Sequence, residues 1–252
     1  MSESLRIWVE IIFNLLYLMT IWVIVIAMTR RLDKVPPPDL RVARYFILAF
    51  ALLAIGDTGH VGFRVWAYAL GNPEARVYVS GLTMGLVGLG ALSTAITVTL
   101  FYVVMLYIWA ARFEKRFGVF GGILMLSAVV RLGLMTLPQN QWNLTVPPHP
   151  WSLWRNLPLV VLGLGVAFLM MRDALRANDR AFQWIGIMIL LSYGFYIPVM
   201  LFIQRAPVIG MLMIPKTLAY VAIAVIGYLS IFQPAESPLA SAELSSAKQI
   251  RR

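Results

Sequence analysis

Seven apolar runs dominate the chain, each near the length an α-helix needs to cross about 30 Å of hydrocarbon. They place spans at roughly 7–28, 46–70, 81–110, 118–137, 156–171, 182–203 and 208–232. The expected fold is therefore an all-α integral membrane protein, a seven-transmembrane-helix bundle formed by residues 1–232. Residues 233–252, rich in Ser and Ala with scattered charge, read as a disordered cytoplasmic tail. The fifth run has the shortest apolar core, so its helix is expected to be tilted or to begin earlier, near Trp151 or Trp154. The first run follows a single basic residue, Arg6, and no small-residue cleavage site follows it, so it reads as a retained span.

Charge supplies the orientation. Only 13% of residues are charged, yet the net charge is +10. Most Lys and Arg fall in four segments. They are Arg30, Arg31, Lys34, Arg41 and Arg44 after the first span; Arg112, Lys115 and Arg116 after the third; Arg172, Arg176 and Arg180 after the fifth; and Lys248, Arg251 and Arg252 in the tail. The alternate connections hold only Arg6, Arg76, Arg155 and Arg205. Cytoplasmic loops carry the basic excess, which puts the N-terminus outside and the C-terminus in the cytoplasm of a multi-pass cell-membrane protein. The basic charge is thereby a topology signal, and the lipid bilayer rather than nucleic acid is the expected partner. The absence of Cys rules out thiolate metal sites and Cys nucleophiles, and two His cannot make a three-His zinc site, so no metal is expected.

The remaining ionisable residues sit inside spans, where each costs about 2.5–3.5 kcal/mol to insert. They are Glu10, Asp57, His60, Arg64, Arg131 and Lys216. Asp57, His60 and Arg64 follow at steps of three and four, which puts them on one face of the second helix, with Gly56, Gly59 and Gly62 beside them. Asp57 falls near mid-membrane and the others between there and the exterior, as do Tyr193 and Tyr196 of the sixth span. Ser93, Thr94 and Thr97 of the third span come near the same depth. The cytoplasmic half of the spans is expected to hold no charge. Ion pairs that only fix helix packing, Asp57 with Arg64 and Glu10 with Lys216 or Arg131, are the structural alternative.

Further features have plainer readings. Residues 138–156 combine Pro, Trp and Asn and read as an irregular interfacial loop or lid outside. His149 in that loop reads as structural, and Asn143-Leu144-Thr145 fits the glycosylation pattern. Pro198 and Pro215 are expected to kink the last two spans, the second beside Lys216. Gly81, Gly85, Gly88 and Gly90 read as one close-packing face of the third span.

Three functions compete. The first is a receptor, sensor or carrier that binds a small polar, anionic or lipid ligand in an outward-facing pocket of Glu10, Asp57, His60, Arg64, Arg131, Tyr193 and Lys216. Its three cations outnumber its two carboxylates. The second is an intramembrane enzyme acting on a lipid or isoprenoid, with Asp57 and His60 as an acid–base pair. The third follows from a resemblance. Seven helices, this orientation, a similar length and Lys216 in the last span together resemble the microbial rhodopsins. That resemblance implies retinal bound at Lys216; because the third span has no acid, the counter-ion would have to be Asp57 from the second.

Overall fold

The computed structural model describes residues 3–72, 74–79, 81–144 and 148–233, without the side chains of residues 3–8, 10, 11, 79, 82 and 207. Punctuating residues set the elements. Helix α1 (Glu3–Arg30) stops ahead of the run Pro36-Pro37-Pro38, and α2 (Leu40–Ala69) begins just after it. Left-handed Gly71, at φ +65°, closes the end of α2. Strands β1 (Arg76–Val79) and β2 (Leu82–Gly85) then form an antiparallel hairpin, with Gly81 at φ +87° in its turn. Helices α3 (Leu86–Arg112) and α4 (Val119–Met135) follow, separated by left-handed Glu114 and by Gly118. One helical turn, α5 (Trp151–Trp154), precedes α6 (Leu157–Arg176). Asp179 caps α7 (Arg180–Phe202) by accepting from the Phe182 amide, and α8 (Met213–Gly227) ends the bundle. A 3₁₀ segment, Pro207–Leu212, leads into α8, and a π-helical turn, Tyr228–Phe232, extends it.

About 81% of the described residues are helical, so the hairpin is a local departure within an all-α architecture. Among the described residues six helices are long and apolar enough to cross a membrane: Ile12–Arg30, Pro37–Ala69, Leu86–Arg112, Trp151–Arg176, Arg180–Phe202 and Val208–Phe232. The apolar helix Val119–Met135 has 17 residues, at the short limit for a span. The fifth expected span is therefore longer than its apolar core suggested, and the fourth is the short one. Helix α6 continues through Arg172 and Asp173, which pair with each other at 2.7 Å.

The helices close into a ring. Helix α1 packs on α2 and α8, α2 on α3, α3 on α4 and α6, α6 on α4 and α7, and α7 on α8. Rings of Phe46, Phe50, Phe101, Tyr102 and Phe182 are fully buried at its centre. Large apolar side chains such as Leu16, Met19, Val23, Leu126 and Val129 stay exposed on its outside. That much outward apolar surface suits hydrocarbon as the solvent.

Two glycines let α2 and α3 approach closely. A Cβ on Gly56 would run into the Thr97 side chain, and one on Gly59 would stand 2.5 Å from Ser93 Oγ. Other glycines read as a single face divide among three roles. Gly81 turns the hairpin, Gly85 precedes α3, and Gly88 and Gly90 lie in α3 against the Trp142 carbonyl and the His60 backbone. Helix α3 thus starts at Leu86 rather than 81, because residues 76–85 pair as strands first.

Connections meet at two ends. Arg112 donates to Asp39 and to Asp179, which ties the α1–α2, α3–α4 and α6–α7 connections together at the basic end. At the hairpin end, the Gly85 amide donates to the Trp142 carbonyl, which joins the hairpin to the loop after α4. Within the loop after α4, Pro138–Asn140 form a 3₁₀ turn and Trp151–Trp154 the α5 turn. Pro215 lies in the first turn of α8, where a missing amide costs no helical hydrogen bond, so it marks a helix start rather than a kink. Pro198 lies inside α7.

Candidate functional site

Helix α2 carries Asp57 half-buried towards α1 and α3. The Tyr17 hydroxyl of α1 donates to Asp57 Oδ2 at 2.7 Å, and the Thr94 hydroxyl of α3 donates to Oδ1 at 3.2 Å. Thr94 also reaches the Gly56 carbonyl at 3.0 Å, a contact that the close α2–α3 approach allows. Among the described residues no cation lies within 4.0 Å of Asp57, so the expected pair with Arg64 does not form. Its carboxylate is held by hydroxyls, and the field of Lys216 reaches it from further away.

Lys216 enters from the first turn of α8. Its Nζ stands 5.2 Å from the ring centroids of both Tyr196 and Tyr220. Aromatic faces attract a cation through their quadrupole, more strongly when water is excluded. The Tyr220 and Tyr102 hydroxyls are 3.0 Å apart, and Tyr102 packs on Tyr193. The Tyr193 hydroxyl donates to the Leu159 carbonyl at 2.8 Å. Gly163 makes that possible, since a Cβ there would occupy the Tyr193 ring.

Arg131 of α4 is only 2% exposed. Its Nε donates to the Arg155 carbonyl at 3.2 Å, one terminal nitrogen to Thr99 Oγ1 at 2.7 Å, and the other to Asn156 Oδ1 at 3.2 Å. Arg155 is 7% exposed; it lays its guanidinium 4.3 Å from the Trp142 ring centroid and reaches Asn140 Oδ1 at 3.4 Å. These partners are uncharged. The hydrogen bond from Arg131 Nε to the Arg155 carbonyl ties the two buried residues together.

Lys216, Tyr196, Tyr220, Tyr102 and Tyr193 form one chain of contacts, and the charges of Asp57 and Arg131 act on Lys216 from outside it. His60 and Arg64 continue up α2, both half-buried, and the Arg64 charge acts on His60. His60 Nδ1 is buried without a hydrogen-bond partner, and no hydrogen bond joins it to Asp57 among the described residues. The Glu10 side chain lies outside the described residues, as do Thr145 of the glycosylation pattern and the tail beyond Gln233. Ser93 and Thr97 serve α2–α3 packing, and His149 is exposed in its loop.

Several residues of this region escape sequence reading. Arg155 counts there as a loop charge; only the fold of residues 138–156 buries it. Tyr17, Thr99, Tyr102, Asn140, Asn156 and Tyr220 carry no spacing signal that separates them from ordinary packing residues. The expectation that the other half of the spans holds no charge also needs correction. Asp173 in α6 is 3% exposed, accepts from the Trp109 indole at 2.9 Å and pairs with Arg172 at 2.7 Å. Its position beside a basic cluster made it look like part of a loop.

Two surface depressions are lined by residues other than Asp57 and its partners. One, of about 430 Å³, is apolar and lined by Leu134, Trp151, Trp154, Leu157 and Pro158. The other, of about 470 Å³, lies at the basic end among Arg112, Phe113 and residues 177–180. No protein-family model matches the chain, and no curated protein or solved structure matches it either.

Proposed function

We propose that the chain is a seven-span cell-membrane protein, residues 1–232, with its hairpin end outside and its basic end and tail in the cytoplasm. Its function is to bind a small polar or anionic ligand in the half of the bundle next to the hairpin, as a receptor, sensor or carrier. Val119–Met135 serves as the short fourth span. Asp57, His60, Arg64, Arg131, Tyr193 and Lys216 surround the ligand, with Glu10 at the α1 edge.

One observation carries this reading. Lys216 and Arg131 are held by tyrosine faces, a threonine, an asparagine and a carbonyl, while the nearest carboxylate, Asp57, is held by hydroxyls. Buried charge is stable when neutralised, so this half of the bundle favours an added negative charge. The partnerless His60 Nδ1 provides one free polar atom beside it. The acid–base and retinal readings draw no comparable support: Asp57 and His60 share no hydrogen bond, and tyrosine rings already flank Lys216.

The test is mass spectrometry of small molecules retained by protein purified in mild detergent. A stoichiometric anion in the wild type, lost in Lys216→Ala and in Arg64→Ala at unchanged folded yield, is the expected result. Normal retention by both variants would refute the reading.

A further inference from the structure

The Arg131–Arg155 pair joins α4 to the start of α6, and its surroundings are amphiphilic. Each polar contact is to a neutral acceptor: Thr99, Asn140, Asn156 and the Arg155 carbonyl. Two guanidiniums buried to this extent, linked by the hydrogen bond from Arg131 Nε to the Arg155 carbonyl and with no carboxylate within 4.0 Å among the described residues, form a positive centre without a counter-ion. The apolar depression of about 430 Å³ is built from residues that flank this pair. Leu134 is three residues beyond Arg131 on α4, and Trp151, Trp154, Leu157 and Pro158 bracket Arg155. Trp154 is 51% exposed there, as suits an indole at headgroup depth. A cationic centre whose near neighbours in the chain line an apolar groove has the chemistry of a site for an anionic headgroup joined to a hydrocarbon chain.

We propose that the α4–α6 edge is a binding site for an anionic lipid. Its phosphate is bound by Arg155, with Arg131 behind it, and one acyl chain lies along Leu134, Trp151, Trp154, Leu157 and Pro158. The proposal rests on the reading that the hairpin-end cations hold an anion, and it names the lipid leaflet as the source of that anion. Guanidinium suits a phosphate because its planar fork donates two parallel charge-assisted hydrogen bonds. The Trp142 face and Asn140 hold that fork in place. The groove supplies the part of the binding energy that free phosphate cannot.

The experiment places the protein in nanodiscs of phosphatidylcholine mixed equally with phosphatidylglycerol and measures retained lipid by native mass spectrometry. Phosphatidylglycerol should be enriched about tenfold on the wild type, the ratio one charge-assisted hydrogen bond supports. Arg155→Gln should bring the ratio close to one. Leu157→Trp, at a site already 37% exposed, fills the groove without touching a hydrogen bond and should also lower retention, so the test survives if Arg155→Gln fails to fold. Equal retention of both lipids by the wild type overturns the proposal, as does enrichment that Arg155→Gln and Leu157→Trp leave intact. Inorganic phosphate that protects the protein from heat as well as the lipid does would show a free anion site and overturn the lipid assignment. Enrichment lost in Lys216→Ala but kept in Arg155→Gln would move the headgroup to the deeper cluster; this inference would then fall while the ligand-binding reading stood. No bound anion of any kind, in any variant, would defeat both.

Discussion

The two ends of the bundle treat buried cations differently. At the basic end, Arg112 reaches Asp39 at 2.7 Å and Asp179 at 2.9 Å, and Arg172 reaches Asp173 at 2.7 Å. These arginines are about a third exposed. At the hairpin end, Arg131 and Arg155 are almost fully buried and bond only to neutral acceptors and an aromatic face. The basic-end arginines, which water could reach, meet carboxylates; among the described residues no carboxylate lies within 4.0 Å of the buried Arg131 and Arg155. Satisfying hydrogen bonds and neutralising charge are separate requirements. The basic end meets both with structural ion pairs that fasten three connections, and the hairpin end meets only the first. The difference makes the basic end a clasp and the hairpin end a place for something negative.

The comparison breaks first at Arg131. Arg131→Ala removes three hydrogen bonds and opens a cavity between α3, α4 and α6, which should lower unfolding stability by about 3 kcal/mol. Reversible denaturation in mixed micelles checks it, and a loss under about 0.5 kcal/mol would show that the network contributes little. Next comes Gly88→Val, whose side chain meets the Trp142 carbonyl. It should cost about 1–3 kcal/mol and loosen the 138–156 loop, read as faster proteolysis there. The control is Gly62→Ala, with open space around it, which should change stability by no more than about 1 kcal/mol in either direction.

Asp179→Ala probes the basic end. It removes both the α7 cap to Phe182 and a partner of Arg112, and should cost about 1–2 kcal/mol in the same measurement. An unchanged midpoint would mean that water replaces the clasp without loss. The smallest effect should be salt dependence. Asp39 and Arg112 are exposed enough for screening, so the few tenths of a kcal/mol lost in Asp39→Asn should vanish in about 1 M salt. The Arg131→Ala deficit should persist there. If salt erased both, the burial difference between the ends would not govern their energetics.

Particular residues show how far sequence reading reaches. The apolar runs locate the six helices long enough to cross a membrane and the shorter Val119–Met135. The steps from Asp57 to His60 to Arg64 place three polar groups on one helix face, because helical geometry is local and repeats every 3.6 residues. What those groups touch is not local. Asp57 meets Tyr17, 40 positions away, and Thr94, 37 away. No rule of spacing chooses these hydroxyls over the Arg64 charge on the same helix. Arg155 and Asp173 are misread for one reason: both lie near other charged or loop-forming residues, and burial depends on what packs over them.

The sequence by itself determined a membrane-embedded, helical chain and the positions of its polar residues, because hydrophobicity and helical period are properties of each segment alone. Tertiary structure decided which polar residues became partners. It turned residues 76–85 into a hairpin, pressed Gly88 against the Trp142 carbonyl, and folded the 138–156 loop so that Arg155 stacked on Trp142 beside Arg131. Those outcomes depend on the distance and dielectric between segments far apart in sequence, which exist only once the ring has closed.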